Sequence, residues 1–208
     1  MALGLPTFSP SKEIWSREIV TIGDPILREP AREVTSEELA SAAVQELIDD
    51  MIETKRAADG AGIAAPQVGE PLRIALAEVE GVNRRYPYKP PIPLTVIVNP
   101  VIEPIGTETI AINEGCLSVP GLRGEVPRHL RVRVRYRDRD GTERVIVASG
   151  MTAGTFQHEV DHLDGVLFCD RADPRSFSTW EQFERRHRDG FVRRMEGLTE
   201  RLAAEDGE

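Results

Sequence analysis

The sequence has few cysteines, few aromatic residues and no excess of positive charge. Two cysteines among 208 residues are too few for a disulfide framework, so free thiols in a reducing compartment are the simpler expectation, although counting alone leaves one bridge open. The formal net charge of −9 argues against a surface devoted to nucleic-acid phosphates, because such a surface needs clustered positive charge.

Long apolar segments are also missing. No run approaches the roughly 20 apolar residues that a membrane-spanning helix requires, and the first 15 residues lack the charged-then-apolar pattern of a signal peptide. We therefore expect a cytoplasmic protein with no membrane site and no direct nucleic-acid site. An organellar transit peptide is the weaker interpretation, because acidic and basic residues are mixed at the N-terminus.

Sequence patterns predict three main helices. A capping-box pattern over residues 35–38 opens the first, which should end before Gly60. The second is predicted over residues 150–168. A further capping-box pattern over residues 178–181 precedes a final helix that Gly190 interrupts.

Strands are predicted where apolar residues cluster or alternate with polar ones. The predicted segments are 73–79, 94–99, 107–112, 130–137 and 142–148. Prolines within residues 86–93 indicate a surface loop. The arginines that alternate with apolar residues over 130–137 indicate the solvated face of a strand more readily than a polyanion-binding stripe.

Together these elements predict an α+β fold in one domain over residues 1–208. Antiparallel or mixed sheets pack around a central helix that carries the HExxH pattern, and a C-terminal helix follows. We expect an N-terminal arm over residues 1–35 and a C-terminal helical extension over residues 178–208.

The segment Gln157-His158-Glu159-Val160-Asp161-His162 carries the clearest chemistry. Histidines four residues apart lie on one face of a helix, where both can bind one metal ion with Glu159 beside them as a base. A histidine pair that binds no metal is the alternative.

A catalytic metal site needs a third protein ligand and an open position. Phe168 stands where one class of HExxH proteases has its third histidine, and the sequence around Glu181 and Glu184 lacks the motif of the other class. Cys116, among polar and small residues in a predicted loop just after a strand, is the better candidate, since thiolates bind borderline metals well. Cys169 follows three apolar residues and is more typical of a buried thiol.

Three segments in this order, GAGIAAPQ over 60–67, EGCLS over 114–118 and QHEVDH over 157–162, resemble the peptide deformylase family. The resemblance implies that Cys116, His158 and His162 are metal ligands and that Glu159 is the acid–base group. It implies that Gln67 and the N–H of Leu117 are the oxyanion donors. The substrate contacts that it implies are Gly62, Glu114, Arg123, Met151 and Thr155.

The resemblance also implies a cofactor and partners. It implies one divalent metal ion per chain, Fe(II) in many members, although two imidazoles and a thiolate suit Zn, Ni or Co equally. The implied substrates are formyl-Met nascent peptides, with a transient ribosome contact and a monomer or homodimer. A zinc endopeptidase that shares the HExxH residues, and a protein with a structural metal or none, are the alternatives.

Two features depart from the family pattern. Thr152, Gly154 and Thr155 are less apolar than a pocket for methionine would ideally be, which leaves the side-chain preference open. The proline-rich insert resembles the mitochondrial-type branch, whereas Leu117 in EGCLS resembles the bacterial form. We expect a bacterial enzyme of that branch.

Overall fold

The described fold combines antiparallel sheets with helices. The structure, a computed structural model, describes residues 17–81 and 88–206. Residues 1–16 of the predicted arm, 86–87 of the predicted loop and 207–208 of the predicted extension lie outside the described residues. The antiparallel strand pairs and the C-terminal helix confirm the predicted α+β class.

The strands of the described chain form two sheets. They are β1 Gly62–Ala64, β2 Ile74–Val79, β3 Ile92–Pro104, β4 Thr109–Cys116, β5 Val119–His129, β6 Arg131–Arg137, β7 Glu143–Ser149 and β8 Ser178–Thr179. One sheet has the order β1-β2-β3-β6-β7 and the other β4-β5-β8, with antiparallel neighbours throughout. Strands β1, β5 and β8 are additional to those that the sequence predicts.

The helices lie between and after the strands. They are α1 Ser36–Leu39, α2 Ala42–Ala57, α3 Gly150–Leu163, α4 Phe168–Arg171, α5 Trp180–Gln182 and α6 Arg188–Asp206, with a π-helical turn over Phe183–His187. None of the helices in the described ranges is both long and apolar enough to cross a membrane.

The first predicted helix is in fact two helices. The capping box forms as predicted, with the Thr35 hydroxyl accepting from the Glu38 N–H and the Glu38 carboxylate accepting from the Thr35 N–H. The chain then breaks at Ala40, because the hydroxyl of Ser41 caps a new helix by accepting from the N–H of Val44. The apolar face predicted for one helix is therefore carried mainly by α2.

Helix α3 is buried along most of its length. Its residues Ala153, Phe156, Val160 and Leu163 join one core with the inner faces of β2, β3, β6 and β7. The helix ends at Leu163 rather than 168, because Gly165 has a φ of +73° and a side chain there would meet the backbone oxygen of Arg28. α3 thus lies where residues on it can face both sheets.

The β4–β5 hairpin corrects the sequence prediction for the segment around Cys116. Residues 114–116 belong to β4 instead of a loop after it, and the turn lies at residues 117–118. β5 follows at once and pairs with β4 along its length. Strand pairing fixes the Cys116 backbone more tightly than a loop would.

The C-terminal segment also differs in detail from the prediction. Thr179, rather than Ser178, caps α5 by accepting from the Gln182 N–H. Gly190 is exposed and lies inside α6 without breaking it. The irregularity lies upstream in the π-helical turn, where the Phe183 side chain is fully buried.

A buried ion pair joins α2 to β2. The carboxylate of Glu78 is 3% exposed and accepts from Lys55 Nζ at 2.6 Å and from Arg56 Nη2 at 2.6 Å. The hydrogen bonds from Arg56 are the largest cause that lowers the pKa of Glu78, to about 2. The ammonium of Lys55 also donates to the backbone oxygen of Glu78, so this cluster fixes the end of α2 against the sheet.

We expect Glu78→Gln to lower the free energy of unfolding at pH 7 by roughly 3 kcal/mol, because it leaves the buried Lys55 ammonium without its counter-charge. The measurement is urea denaturation. Glu80→Gln is the matched control, since Glu80 is 80% exposed and 3.8 Å from Arg56, and it should change stability little.

The same cluster predicts a pH dependence. A lowered folded-state pKa contributes stability above the unfolded pKa of 4.5, and that stability is lost as the pH falls toward about 2. The stability difference between wild type and Glu78→Gln should therefore shrink below pH 4.5. A difference that stays constant through this range would contradict the assignment.

Candidate metal centre

Three side chains that can bind a metal ion meet between β4 and α3. Cys116 is the last residue of β4, and His158 and His162 lie one turn apart on α3. Cys116 Sγ lies 3.2 Å from His162 Nε2, and one ligand atom from each residue lies within 4.8 Å of the others. Among the described residues, only this group of histidine, cysteine and acidic side chains is close enough to hold a metal ion.

The orientation of the donors fits a bound metal ion. His158 Nδ1 lies 2.8 Å from Glu114 Oε2, which leaves its Nε2 as the ligand atom, the arrangement typical of a metal-bound imidazole. Burial would raise the pKa of the Cys116 thiol, but the His162 and His158 rings hold it well below its ordinary value. A thiolate and two imidazoles form a donor set for a divalent transition metal.

A buried ionic network supports the donors from behind. The guanidinium of Arg128 donates to Glu114 at 2.7 and 2.9 Å and to Asp161 at 2.6 Å. Arg171 pairs with the same Asp161 at 2.8 Å. Burial opposes ionisation of Glu114, yet the charge of Arg128 lowers the pKa of Glu114 to about 2. Glu114 therefore stays ionised and orients the imidazole of His158.

Glu159 lies beside the donors, in a space that Gly62 leaves open. A Cβ at Gly62 would approach Glu159 Oε1 to 2.2 Å, so no other residue fits there without moving the carboxylate. Glu159 is 3% exposed, and burial raises its pKa above the ordinary value. A carboxylate with a raised pKa is a stronger base, which suits proton transfer near neutral pH.

The side chain of Gln67 is oriented by hydrogen bonds at both ends of its amide group. Its Oε1 accepts from the Ala64 N–H at 2.9 Å, and its Nε2 donates to Ser118 Oγ at 3.1 Å. Nε2 also lies 3.5 Å from Cys116 Sγ. These contacts direct an amide N–H toward the donor cluster.

A cavity of about 40 Å³ opens onto the site. Most of the residues that the sequence predicts for the site line it. They are Gly62, Gln67, Glu114, Cys116, Leu117, Met151, Thr155, His158 and Glu159. His162 lies in the donor cluster and is buried at 1% exposure, so it does not line the cavity.

Arg123 is a second predicted site residue that does not line the cavity. It is fully buried, donates to Asn113 through Nε at 2.6 Å and through Nη2 at 2.7 Å, and contacts Tyr88 at 3.2 Å. Its guanidinium also lies over the rings of Trp180 and Phe183. The side chain of Arg123, a residue of β5, thus lies between β4 and the C-terminal segment.

The sequence analysis did not assign roles to three residues that the structure brings to the site. Arg128 and Asp161 form the ionic network, and Lys89 lines the cavity. Asp161 lies within QHEVDH, so its position in the motif was a usable signal. Arg128 and Lys89 lie outside the motifs, and only the tertiary arrangement brings them here.

Proteins of known name are similar to this chain in sequence. The model of the polypeptide deformylase family matches residues 16–178. Peptide deformylase 1 of Prochlorococcus marinus is 45% identical over 169 residues, 81% of this chain and 87% of that protein. The chloroplastic peptide deformylase 1A of Solanum lycopersicum is 42% identical over 177 residues, 80% of this chain and 63% of that longer protein.

Solved structures of peptide deformylases are also similar to this chain. A class I type b peptide deformylase from Acinetobacter baumannii with Met-Ala-Ser bound has a TM-score of 0.71 and 39% identity, covering 74% of this chain and 97% of that one. A peptide deformylase from Synechococcus elongatus in complex with actinonin has a TM-score of 0.69 and 34% identity, covering 84% and 88%. Since the family match spans most of the sequence, this chain belongs to the polypeptide deformylase family, whose members are metal-dependent hydrolases.

Proposed function

We propose how this deformylase removes the formyl group from the N-terminus of nascent formyl-Met peptides. Cys116, His158 and His162 hold one divalent metal ion, and Glu159 is the general acid–base. The observation that carries the proposal is the convergence of three ligand atoms within 4.8 Å beside a buried carboxylate in an open cavity. When bound, the metal ion supplies a Lewis acid that polarises the formyl carbonyl and makes water more acidic.

Glu159 moves the protons of the reaction. Its carboxylate accepts a proton from the attacking water, and it later delivers that proton to the nitrogen of the leaving amine. The formyl C–N bond then breaks, and formate and a free N-terminal methionine are released. The burial that raises the pKa of Glu159 supports both transfers.

Gln67 and the backbone N–H of Leu117 stabilise the oxyanion that forms on the formyl oxygen. Both residues line the cavity beside Cys116. The hydrogen bonds from Ala64 and to Ser118 fix the Gln67 amide before the substrate arrives, which is what oxyanion stabilisation requires, because donors already in place need no reorganisation.

The substrate contacts divide into two groups. Gly62, Glu114, Met151 and Thr155 line the cavity, so we propose that they border the formylated residue. Arg123 acts indirectly, because its buried guanidinium contacts Asn113 and Tyr88 rather than the cavity. It supports the wall against which the peptide lies.

Fe(II) is the proposed working ion, and Zn, Ni or Co would suit the same ligands. We propose a cytoplasmic bacterial enzyme, since its substrates form at the ribosome and Cys116 must stay reduced to bind metal.

We propose that the C-terminal extension belongs to the same single domain, and a shared core supports this, because Phe183, Phe191 and Met195 pack with Ile112 and Met151. A transient ribosome contact would use the exposed face of α6 in a monomer or homodimer.

We expect Glu159→Gln to bind metal but to lose formate release by a factor of 10² or more, because it removes the proton carrier. The assay measures formate from a formyl-Met tripeptide alongside cleavage of an unformylated peptide with internal bonds. Wild-type protein should release formate and leave internal bonds intact. Internal cleavage without formate would instead favour an endopeptidase.

We expect Cys116→Ser to bind the metal ion at least 10-fold more weakly, because a hydroxyl replaces a thiolate ligand. Cys169→Ser is the matched control, since Cys169 is half-buried, outside the donor cluster, and has a pKa that burial raises. Chelator competition with Co(II) gives the affinities. Equal affinity in both variants would mean that the third ligand is another residue.

A further inference from the structure

The C-terminal segment contributes a buried apolar cluster that the proposed reaction does not use. Its members Phe183, Phe191 and Met195 are all buried, and all lie after residue 178, the last residue that the family model matches. They share one core cluster with Ile112 of β4 and Met151 of α3. A part of the chain outside the family match thus packs against the elements that carry the site.

Two members of this cluster are also walls of the cavity at the metal ligands. Ile112 and Met151 both line that cavity. A Cβ at Gly154 would lie 2.3 Å from Cδ1 of Ile112, so the Ile112 side chain packs directly on the backbone of α3. Each of these two walls therefore contacts the cavity and the C-terminal cluster together.

A second contact links Phe191 to the same cavity. Its ring meets the Tyr88 ring edge to face, with centroids 5.4 Å apart, and it lies 6.0 Å from the Phe183 ring. Such aromatic pairs attract beyond the area that they bury. Tyr88 directly precedes Lys89, which lines the cavity and donates to Thr155 Oγ1 at 2.9 Å. Tyr88 and Lys89 thus join Phe191 to the α3 side of the cavity.

This arrangement makes the shape of the cavity depend on Phe191. When a buried side chain is truncated, its neighbours relax partly into the space that it leaves. The neighbours here include the walls Ile112 and Met151, and their movement toward α6 is movement away from the cavity. Loss of the Phe191 ring should therefore widen the space that receives a substrate side chain.

We propose that Phe191 is a positioning residue that sets the width of the cavity for the first side chain of the substrate. It acts through the cluster that it shares with Ile112 and Met151, and through Tyr88. The inference rests on the proposed deformylase function and adds to it a determinant of specificity in the C-terminal extension.

The test compares kcat/KM for two tripeptides that differ only in the first residue, formyl-Phe and formyl-Met, using the full metal-loaded chain. Phe191→Ala should raise the ratio of formyl-Phe to formyl-Met kcat/KM about 10-fold, because one methylene of pocket space changes discrimination by roughly 10-fold or more. The change should lie in KM. The kcat for formyl-Met and the Co(II) affinity should stay as in wild type, since the metal ligands are not members of the cluster.

Leu202→Ala is the matched control. Leu202 is buried on the same helix, but it lies beside Gly150 and is not a member of the cluster that includes the cavity walls. Leu202→Ala should lower stability and leave the ratio unchanged. An equal shift in both variants would contradict the inference, since it would report a general loosening of α6.

An unchanged ratio in folded Phe191→Ala would overturn the inference and leave the deformylase function intact. If thermal unfolding shows that Phe191→Ala does not fold, Phe191→Leu decides, because it stays apolar and removes only the ring that contacts Tyr88. It should raise the ratio in the same direction, and no change there would equally reject the inference. Absence of formate from both peptides in the wild-type protein would refute the proposed function itself.

Discussion

The site depends on one buried guanidinium. Arg128 on β5 joins Glu114 on β4 to Asp161 on α3, and its side chain is 3% exposed. A buried charge of this kind is costly unless it is fully paired, so the two carboxylates and the guanidinium must fold together. The strand that ends in Cys116 and the helix that carries both histidines are thereby held in one relative position. The relative position of the strand and the helix that carry the metal ligands thus depends on ion pairs between residues that are not ligands themselves.

Close packing around Glu159 and at the end of α3 is the second constraint on the site. Gly62 lies so near Glu159 that a Cβ would meet its carboxylate at 2.2 Å, and Gly165 ends α3 where the chain passes the Arg28 backbone. The first contact brings the small-residue loop over the proposed base. The second lets α3 stop one residue after the last histidine and turn back. Both contacts explain why glycines lie near the reacting groups, because a residue without a side chain leaves room for them.

Much of this could be predicted from sequence where the pattern is local. The Thr35–Glu38 capping box forms, and the alternation over β6 buries Val132 and Val134 while the intervening arginines face outward. The spacing of His158 and His162 placed both on one helix face. Two predictions were wrong because local signals compete: the Ser41 hydroxyl caps a new helix inside the predicted one, and Gly190 is accommodated inside α6. A third was wrong because the sequence does not show which strands pair, and Cys116 joins a strand that pairs with β5.

The sequence by itself determined two local patterns. One is the helical spacing of the two histidines, and the other is the alternation of apolar and polar residues along the strands. Those features depend only on neighbours along the chain. Tertiary structure alone decided that Arg128 supports the donors, that Arg123 is buried behind the cavity wall and that Lys89 reaches Thr155. The contacts from Arg128 to Asp161 and from Lys89 to Thr155 join residues 33 and 66 positions apart, and Arg123 is fully buried. Removing such charges from water is costly unless they are paired, and only the folded arrangement of both sheets and α3 brings the partners together.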